Sequence, residues 1–160
     1  MANYDFVKDL KEAKSTEEET GEILKKLFKT DELTFNNDSK YDILINGLRF
    51  EIKEDFMCGR TGNVALEYSC RGKISGIQTS EADFYIYKLH MKSGIQYVIH
   101  HKSALEKMVE EKTYFREVNG GDPGSNSLFY LFKYDEFIKT GDVITLDKSE
   151  KVWYNGKIIA

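Results

Sequence analysis

A single α/β domain is the fold class that the sequence predicts, and three observations carry it. The chain is 160 residues long, enough for one buried core and short for two. Apolar residues recur at helical spacing near the N-terminus, and again over a short stretch after residue 102. Between and beyond them lie runs that alternate apolar and polar residues, separated by Asn-Gly, Ser-Gly and glycine-rich turns.

The elements follow in order. Residues 3–14 and 17–29 read as two helices; in the second, Ile23, Leu24, Leu27 and Phe28 recur at helical spacing, and Thr16 with Glu19 fits a capping box. Glu17, Glu18 and Glu19 crowd its start and Lys25, Lys26 and Lys29 its end, as the helix dipole favours. A polar turn, NNDSK, ends at Lys40. Two alternating runs over 41–55 flank Asn46-Gly47, the strongest short-range signal for a hairpin. Residues 62–69 read as a third strand, and a short helix is expected within GKISGIQTSEAD. DFYIYKL and IQYVIHHK read as two more strands around Ser93-Gly94, followed by a helix over 103–111 capped by Ser103. A loop, NGGDPGSN, holds the only proline and leads into the apolar run SLFYLF. VITL and VWY, with a second Asn-Gly at 155–156, give a small β-rich C-terminal extension over 141–160 of one domain spanning 1–160.

Composition excludes several classes. The longest apolar runs are a few residues, and MANYDFVKDLKEAK lacks the apolar stretch of a signal peptide, so no membrane association and a cytoplasmic location are expected. Cys58, Cys70 and three scattered histidines form neither a disulfide framework nor a zinc pattern. The net charge of −4 is unlike a protein that merely coats nucleic acid, yet allows an acid cluster for metal with a local basic rim.

The hairpin is where chemistry concentrates. With Asn46 and Gly47 as a two-residue loop, Ile45 faces Leu48 and Asp42 faces Glu51. Side chains alternate across a strand. One face then carries Tyr41, Ile43 and Ile45 against Leu48, Phe50 and Ile52; the other carries Asp42 and Leu44 against Arg49, Glu51 and Lys53. Directly opposed carboxylates about 5 Å apart repel by roughly 3 kcal/mol at an effective dielectric near 20. A divalent cation turns that repulsion into attraction, because hard ions seek clustered carboxylate oxygens. Lys53, on the same face, is placed to orient a water. Acids for metal, metal for a phosphate and an amine beside the nucleophile make up metal-assisted phosphodiester hydrolysis. The plainer reading is a solvated charged hairpin face.

Tyr41-Asp42 followed by Glu51-Ile52-Lys53 across a hairpin, in this order of elements, resembles the PD-(D/E)XK nuclease superfamily over about residues 17–102. The first-motif proline is absent, with Tyr41 in its place. The resemblance implies the restriction-endonuclease-like fold, a mixed β-sheet flanked by helices in the order αβββαβ. It also implies Mg²⁺, with Mn²⁺ as substitute, held by Asp42, Glu51 and the Ile52 carbonyl, with Lys53 positioning the attacking water. A helix-borne glutamate is a frequent addition, with Glu22 the first choice and Glu19 the second. If the third strand pairs beside 48–55, Glu67 could reach metal or phosphate. Gln78, Ser75 and Thr79 are candidates for phosphate or base contacts, and Arg71 and Lys73 suit backbone phosphates. Phe84, Tyr85, Tyr87 and Tyr97 are candidates for stacking on bases or for the core, with the core favoured.

The expected function is therefore a metal-dependent DNA nuclease of restriction-like or Holliday-junction-resolvase-like type, in a bacterial or phage-infected cell. Cutting a duplex takes two sites, which leaves a homodimer open. Two alternatives stand beside it: a non-catalytic nucleic-acid-binding or protein-interaction module on the same fold, and an unrelated α/β protein showing the pattern by chance.

Overall fold

The computed structural model describes residues 6–38, 40–121, 123–124, 126–146, 152–154 and 157–158. Helix α1 (Phe6–Phe28) is continuous where two helices were expected. No glycine or proline interrupts residues 14–17, so nothing breaks the backbone there. Thr16 does not cap: it is buried, and its hydroxyl donates to Glu54 (3.1 Å). Thr16, Thr20, Ile23 and Leu24 form the buried stripe of α1.

Strands β1 (Leu33–Phe35), β2 (Ile43–Ile45) and β3 (Leu48–Asp55) follow as an antiparallel meander. The turn between β2 and β3 has Asn46 at φ 51° and Gly47 at φ 73°, the left-handed pair that a two-residue hairpin loop requires. Ile45 pairs with Leu48, Leu44 with Arg49 and Ile43 with Phe50, as the sequence predicts. The chain then leaves through α2 (Cys58–Thr61), β4 (Asn63–Cys70), β5 (Lys73–Ile74) and a 3-10 turn (Gly76–Gln78), and returns as β6 (Phe84–Met91). β6 runs parallel to β3, with Glu51 against Tyr85 and Lys53 against Tyr87. A parallel neighbour needs such a long crossover.

After β6 come β7 (Gly94–His101), α3 (Lys102–Glu110), β8 (Arg116–Gly120), β9 (Ser127–Lys133), α4 (Tyr134–Phe137) and a second 3-10 turn (Ile138–Thr140). Strands β10 (Asp142–Leu146), β11 (Val152–Tyr154) and β12 (Lys157–Ile158) complete the described residues. The larger sheet has the order β1-β2-β3-β6-β7-β10-β11-β12 and the smaller β5-β4-β9-β8. The result is an α/β fold with a mixed sheet flanked by helices.

Three expectations change. The stretch 62–69 is a strand, but it leaves the larger sheet and pairs with β9; the third strand of the meander is β1, ahead of the hairpin. The C-terminal segment begins inside the larger sheet, since β10 pairs with β7. His101, not Ser103, holds the cap position of α3, and it makes no side-chain cap bond. Asn155-Gly156 lies outside the described residues; Tyr154 and Lys157, on either side of it, are paired.

Two apolar clusters fill the interior. Under α1, Ile23 and Leu24 pack with Ile43, Ile45, Phe50, Ile86, Tyr97, Ile99 and Ile144. On the opposite face of the larger sheet, Tyr85, Tyr87, Leu89 and Val98 pack with Val64, Leu66 and Phe132 of the smaller sheet, under Leu105, Met108 and Phe137.

Candidate functional site

The strand alternation of β3 selects the site. Phe50 and Ile52 turn toward the cluster under α1, and Glu51 and Lys53 take the other face. Lys53 Nζ lies 3.5 Å from Glu51 Oε1, and the Glu51 side chain is only 16% exposed. Burial pushes the Glu51 carboxyl up to about 7; Lys53 opposes the change, while Asp42 and Glu17 add to it.

Asp42 reaches this pair by a route the hairpin arithmetic does not contain. Ile43 pairs with Phe50, and the Asp42 N–H also donates to the Phe50 carbonyl (2.9 Å). Two residues sharing one partner is the signature of a β-bulge. The paired register therefore stops at Ile43, and Asp42 does not simply continue it opposite Glu51. Past the bulge the faces change, so Tyr41 packs with the cluster against the smaller sheet instead of with Ile43 and Ile45. The Asp42 carboxylate bends back and accepts the Ile52 N–H at Oδ2 (2.7 Å). Burial raises its pKa, against the pull of the Ile52 N–H and Lys53. Asp42, Glu51 and Lys53 thus act on one another electrostatically across the bulge.

The helix carboxylate that acts on Glu51 is Glu17. Glu19 is turned to Lys88 Nζ (3.4 Å) and the Tyr97 hydroxyl, and Glu22 is an exposed partner of Lys25 (3.1 Å). Reading 6–28 as one helix with a Thr16, Thr20, Leu24 stripe would have put Glu17 beside the buried edge. Tyr85 was also missed as a member of the site. Its ring is wholly buried and, among the described residues, its hydroxyl meets no partner in good hydrogen-bond geometry. Ser80, whose hydroxyl accepts the Ala82 N–H (3.2 Å), lies near enough to oppose the burial-driven rise in its pKa. Burial, with Glu51 and Asp42 nearby, pushes the Tyr85 phenol up to about 12. Its place as the register partner of Glu51 depends on β3 and β6 being neighbours, which no local pattern reveals.

The remaining candidates divide. Glu67 sits on β4, in the smaller sheet, and takes a hydrogen bond from Ser75 Oγ (3.1 Å). Burial raises the Tyr87 phenol well above its usual range, and Glu51 and Glu67 both add to that rise. Gly76, at φ +53°, lies so close to the Glu67 carbonyl that a Cβ there would stand 2.1 Å from its oxygen. Thr79 is exposed and bonds back to Gly76 (3.5 Å). Gln78 is exposed and lines a cleft with Ile77, Lys102 and Glu106, which includes none of Asp42, Glu51 and Lys53. Arg71 and Lys73 are exposed at the β4–β5 turn. Asp55 is structural, accepting the N–H groups of Met57 (2.9 Å), Cys58 (2.9 Å) and Ala65 (3.3 Å). Tyr85, Tyr87 and Tyr97 are buried, so they belong to the core and not to a base-stacking surface; Phe84 is half-buried and stacks on Phe50. His100 is buried, its pKa depressed by burial to about 4, and it bonds Thr140 (3.2 Å).

Among the described residues, no three His, Cys, Asp or Glu side chains stand together as a ready metal cage. The oxygen donors that act on one another here are the Asp42 and Glu51 carboxylates, and Ile52 follows Glu51 in the chain. Mg²⁺ characteristically takes one or two carboxylates and completes its shell with water and substrate phosphate, so this donor set fits it in kind. Comparison with protein-family models, curated proteins and solved structures gives no match to this chain. Among the described residues, no helix is long and apolar enough to cross a membrane.

Proposed function

We propose that this chain is a divalent-metal-dependent nuclease acting on DNA, with Asp42, Glu51 and Lys53 as its catalytic residues. The observation that carries the reading is the state of Glu51. A carboxyl kept poorly solvated among Asp42, Glu17 and Lys53, with its pKa near 7, is costly for folding and useful for binding a cation. The order α1, β1, β2, β3 and then a strand parallel to β3 supports the resemblance to the PD-(D/E)XK nucleases, with 58–82 as an elaborated crossover.

Asp42, Glu51 and the Ile52 carbonyl would hold Mg²⁺ or Mn²⁺, which supplies Lewis-acid polarisation at a phosphoryl group. The chain's own groups do the rest. Lys53 carries its ammonium beside the acids, where it donates to an attacking water and steadies negative charge developing on the phosphate. The Ile52 N–H fixes the Asp42 carboxylate at Oδ2. Burial of Glu51 strengthens each of these electrostatic contacts by excluding bulk water.

The test is a cleavage panel over supercoiled, linear, nicked, single-stranded and branched DNA with Mg²⁺ or Mn²⁺. Cutting is expected in metal and lost in excess chelator and in Asp42→Ala, Glu51→Ala and Lys53→Ala. Full activity in the three folded variants, or in chelator, refutes the assignment. Metal-independent binding without cutting of any substrate favours a non-catalytic module instead.

A further inference from the structure

The smaller sheet has two faces, and only one of them is buried. Val64, Leu66 and Phe132 turn into the core with Tyr68 and Tyr130 against them. Alternation assigns the opposite face, and the register lays it out in rows. Asn63 lies across from Lys133, Ala65 from Leu131 and then Arg116, and Glu67 from Phe129 and then Val118. Ala65, Phe129, Leu131 and Val118 are half-buried, while Arg116 and Lys133 are exposed. Phe115, just before β8, is 45% exposed, and the Lys133 ammonium sits 4.3 Å from its ring centroid. Arg71 and Lys73 are exposed at the sheet's other edge.

Charge is distributed unevenly here. Within β4, β5, β8 and β9 the acids are Glu67 and Glu117. Glu67 is held by Ser75 Oγ, and Glu117 accepts the Tyr68 hydroxyl (3.0 Å) on the core-facing side. A chain of net charge −4 therefore presents one aromatic and aliphatic face that carries a single carboxylate, the half-buried Glu67, against the exposed cations Arg116, Lys133, Arg71 and Lys73 around it. That face begins next to the acid site. The Ala65 N–H donates to Asp55 (3.3 Å), and the Tyr87 hydroxyl donates to the Ala65 carbonyl (3.0 Å). Asp55 is two residues beyond Lys53 on β3, and Tyr87 is the register partner of Lys53.

We infer that this outer face of the smaller sheet binds a single strand of nucleic acid, running on from the phosphate held at Asp42, Glu51 and Lys53. Its placement relative to the cut rests on the proposed nuclease function; its binding of a strand does not. Every base has a π-face, so Phe115 and Phe129 accept bases without regard to sequence, while Arg116 and Lys133 meet the backbone phosphates. An apolar protein partner would use the same Phe129, Leu131 and Val118 surface but would gain nothing from the cations around it.

The experiment is fluorescence anisotropy with a labelled thymidine oligonucleotide in chelator, where no cutting occurs. The variants are Arg116→Glu with Lys133→Glu, Phe115→Ala alone, and Glu22→Gln as a control away from this face, each checked by circular dichroism. The charge-reversed protein is expected to bind at least about tenfold more weakly, with the log–log salt slope reduced by about 0.7 for each phosphate no longer neutralised. Phe115→Ala is expected to weaken binding about fivefold or more, as loss of one stacked base does. Glu22→Gln, at an exposed position on α1, should bind as well as the parent. Parent-like binding by both the charge-reversed and the Phe115 proteins overturns the inference, as does a parent that binds no oligonucleotide. Should the charge-reversed protein fail to fold, Phe115→Ala and Arg116→Ala carry the same test. Metal-dependent cutting with no role for this face would leave the nuclease reading intact and sink this one. Strand binding by this face without cutting would do the reverse.

Discussion

Replacing Glu51 by Gln is expected to stabilise the protein at alkaline pH and leave it unchanged at acid pH. The Glu51 carboxyl is raised from 4.5 to about 7, chiefly by burial and with Asp42 and Glu17 adding to it. Below pH 4.5 the group is protonated in both folded and unfolded chains, so it does not bias folding. Between 4.5 and 7 the folded chain holds a proton that the unfolded chain has released, and stability falls as pH rises. Above 7 both are ionised and the whole penalty is present. That gap of about 2.5 pH units is worth about 3 kcal/mol at about 1.4 kcal/mol per unit. The conversion is reasonable because the side chain is only 16% exposed. Glutamine reproduces the shape of the neutral acid and carries no charge. In urea denaturation, Glu51→Gln should therefore exceed the parent by about 3 kcal/mol at pH 8.5 and match it at pH 4. Adding Mg²⁺ at pH 8.5 should raise the parent and not the variant, because the ion would stabilise the ionised carboxylate. A difference between the two proteins that is the same at both pH values would refute the electrostatic account. A parent indifferent to Mg²⁺ and Mn²⁺ would refute the metal site.

Other substitutions test separate parts of the arrangement. Glu17→Gln is expected to weaken Mn²⁺ binding, read by calorimetry, on the order of tenfold, whereas Glu22→Gln should leave it unchanged. Gly76→Ala forces a Cβ to within 2.1 Å of the Glu67 carbonyl oxygen at a positive φ and should cost about 2 kcal/mol or more in urea denaturation. Tyr85→Phe removes a buried hydroxyl that meets no partner in good geometry among the described residues, and should leave stability unchanged or raise it by about 1 kcal/mol. Lys88→Ala strips the cation shared by Glu19 and Glu54 from a site where Lys88 is 11% exposed, and should cost about 3 kcal/mol.

What was legible in the sequence was local. Asn46-Gly47 demands left-handed backbone at both positions, so the hairpin and its pairing from Ile45–Leu48 to Ile43–Phe50 could be counted off the residues. Strands β6 and β7 announced themselves by dense β-branched and aromatic content. Strand β1 did not, because three residues of LTF carry too little alternation to be told from loop. Nor could the destination of β4 be read. Val64 and Leu66 turn inward whichever sheet takes them, and the β9 and β8 partners that decide it lie some 60 residues on. The bulge at Asp42 escaped for a related reason. An aspartate at the mouth of a strand looks like one more alternating residue, and only its N–H bond to the Phe50 carbonyl, the partner Ile43 already has, reveals that it leaves the ladder.

The acids of β3 show why residue type alone could not sort the site from its supports. Glu51, Glu54 and Asp55 lie within five residues, and alternation sends Glu54 to the opposite face from Glu51. There Glu54 takes Thr16 of α1 (3.1 Å), Lys88 (3.8 Å) and His90 (2.7 Å), while Lys88 also meets Glu19. Each carboxylate in that set has a cation or a donor, so the network fastens the helix to the sheet. Asp55 shares the Glu51 face but spends its oxygens on three backbone N–H groups. Glu51 differs from both. Burial chiefly raises its pKa, and the opposing pull of Lys53 is met by Asp42 and Glu17. Glu51 is thus the carboxyl of β3 whose ionised form folding disfavours, and that distinction comes from its surroundings in space, not its place in Glu-Ile-Lys.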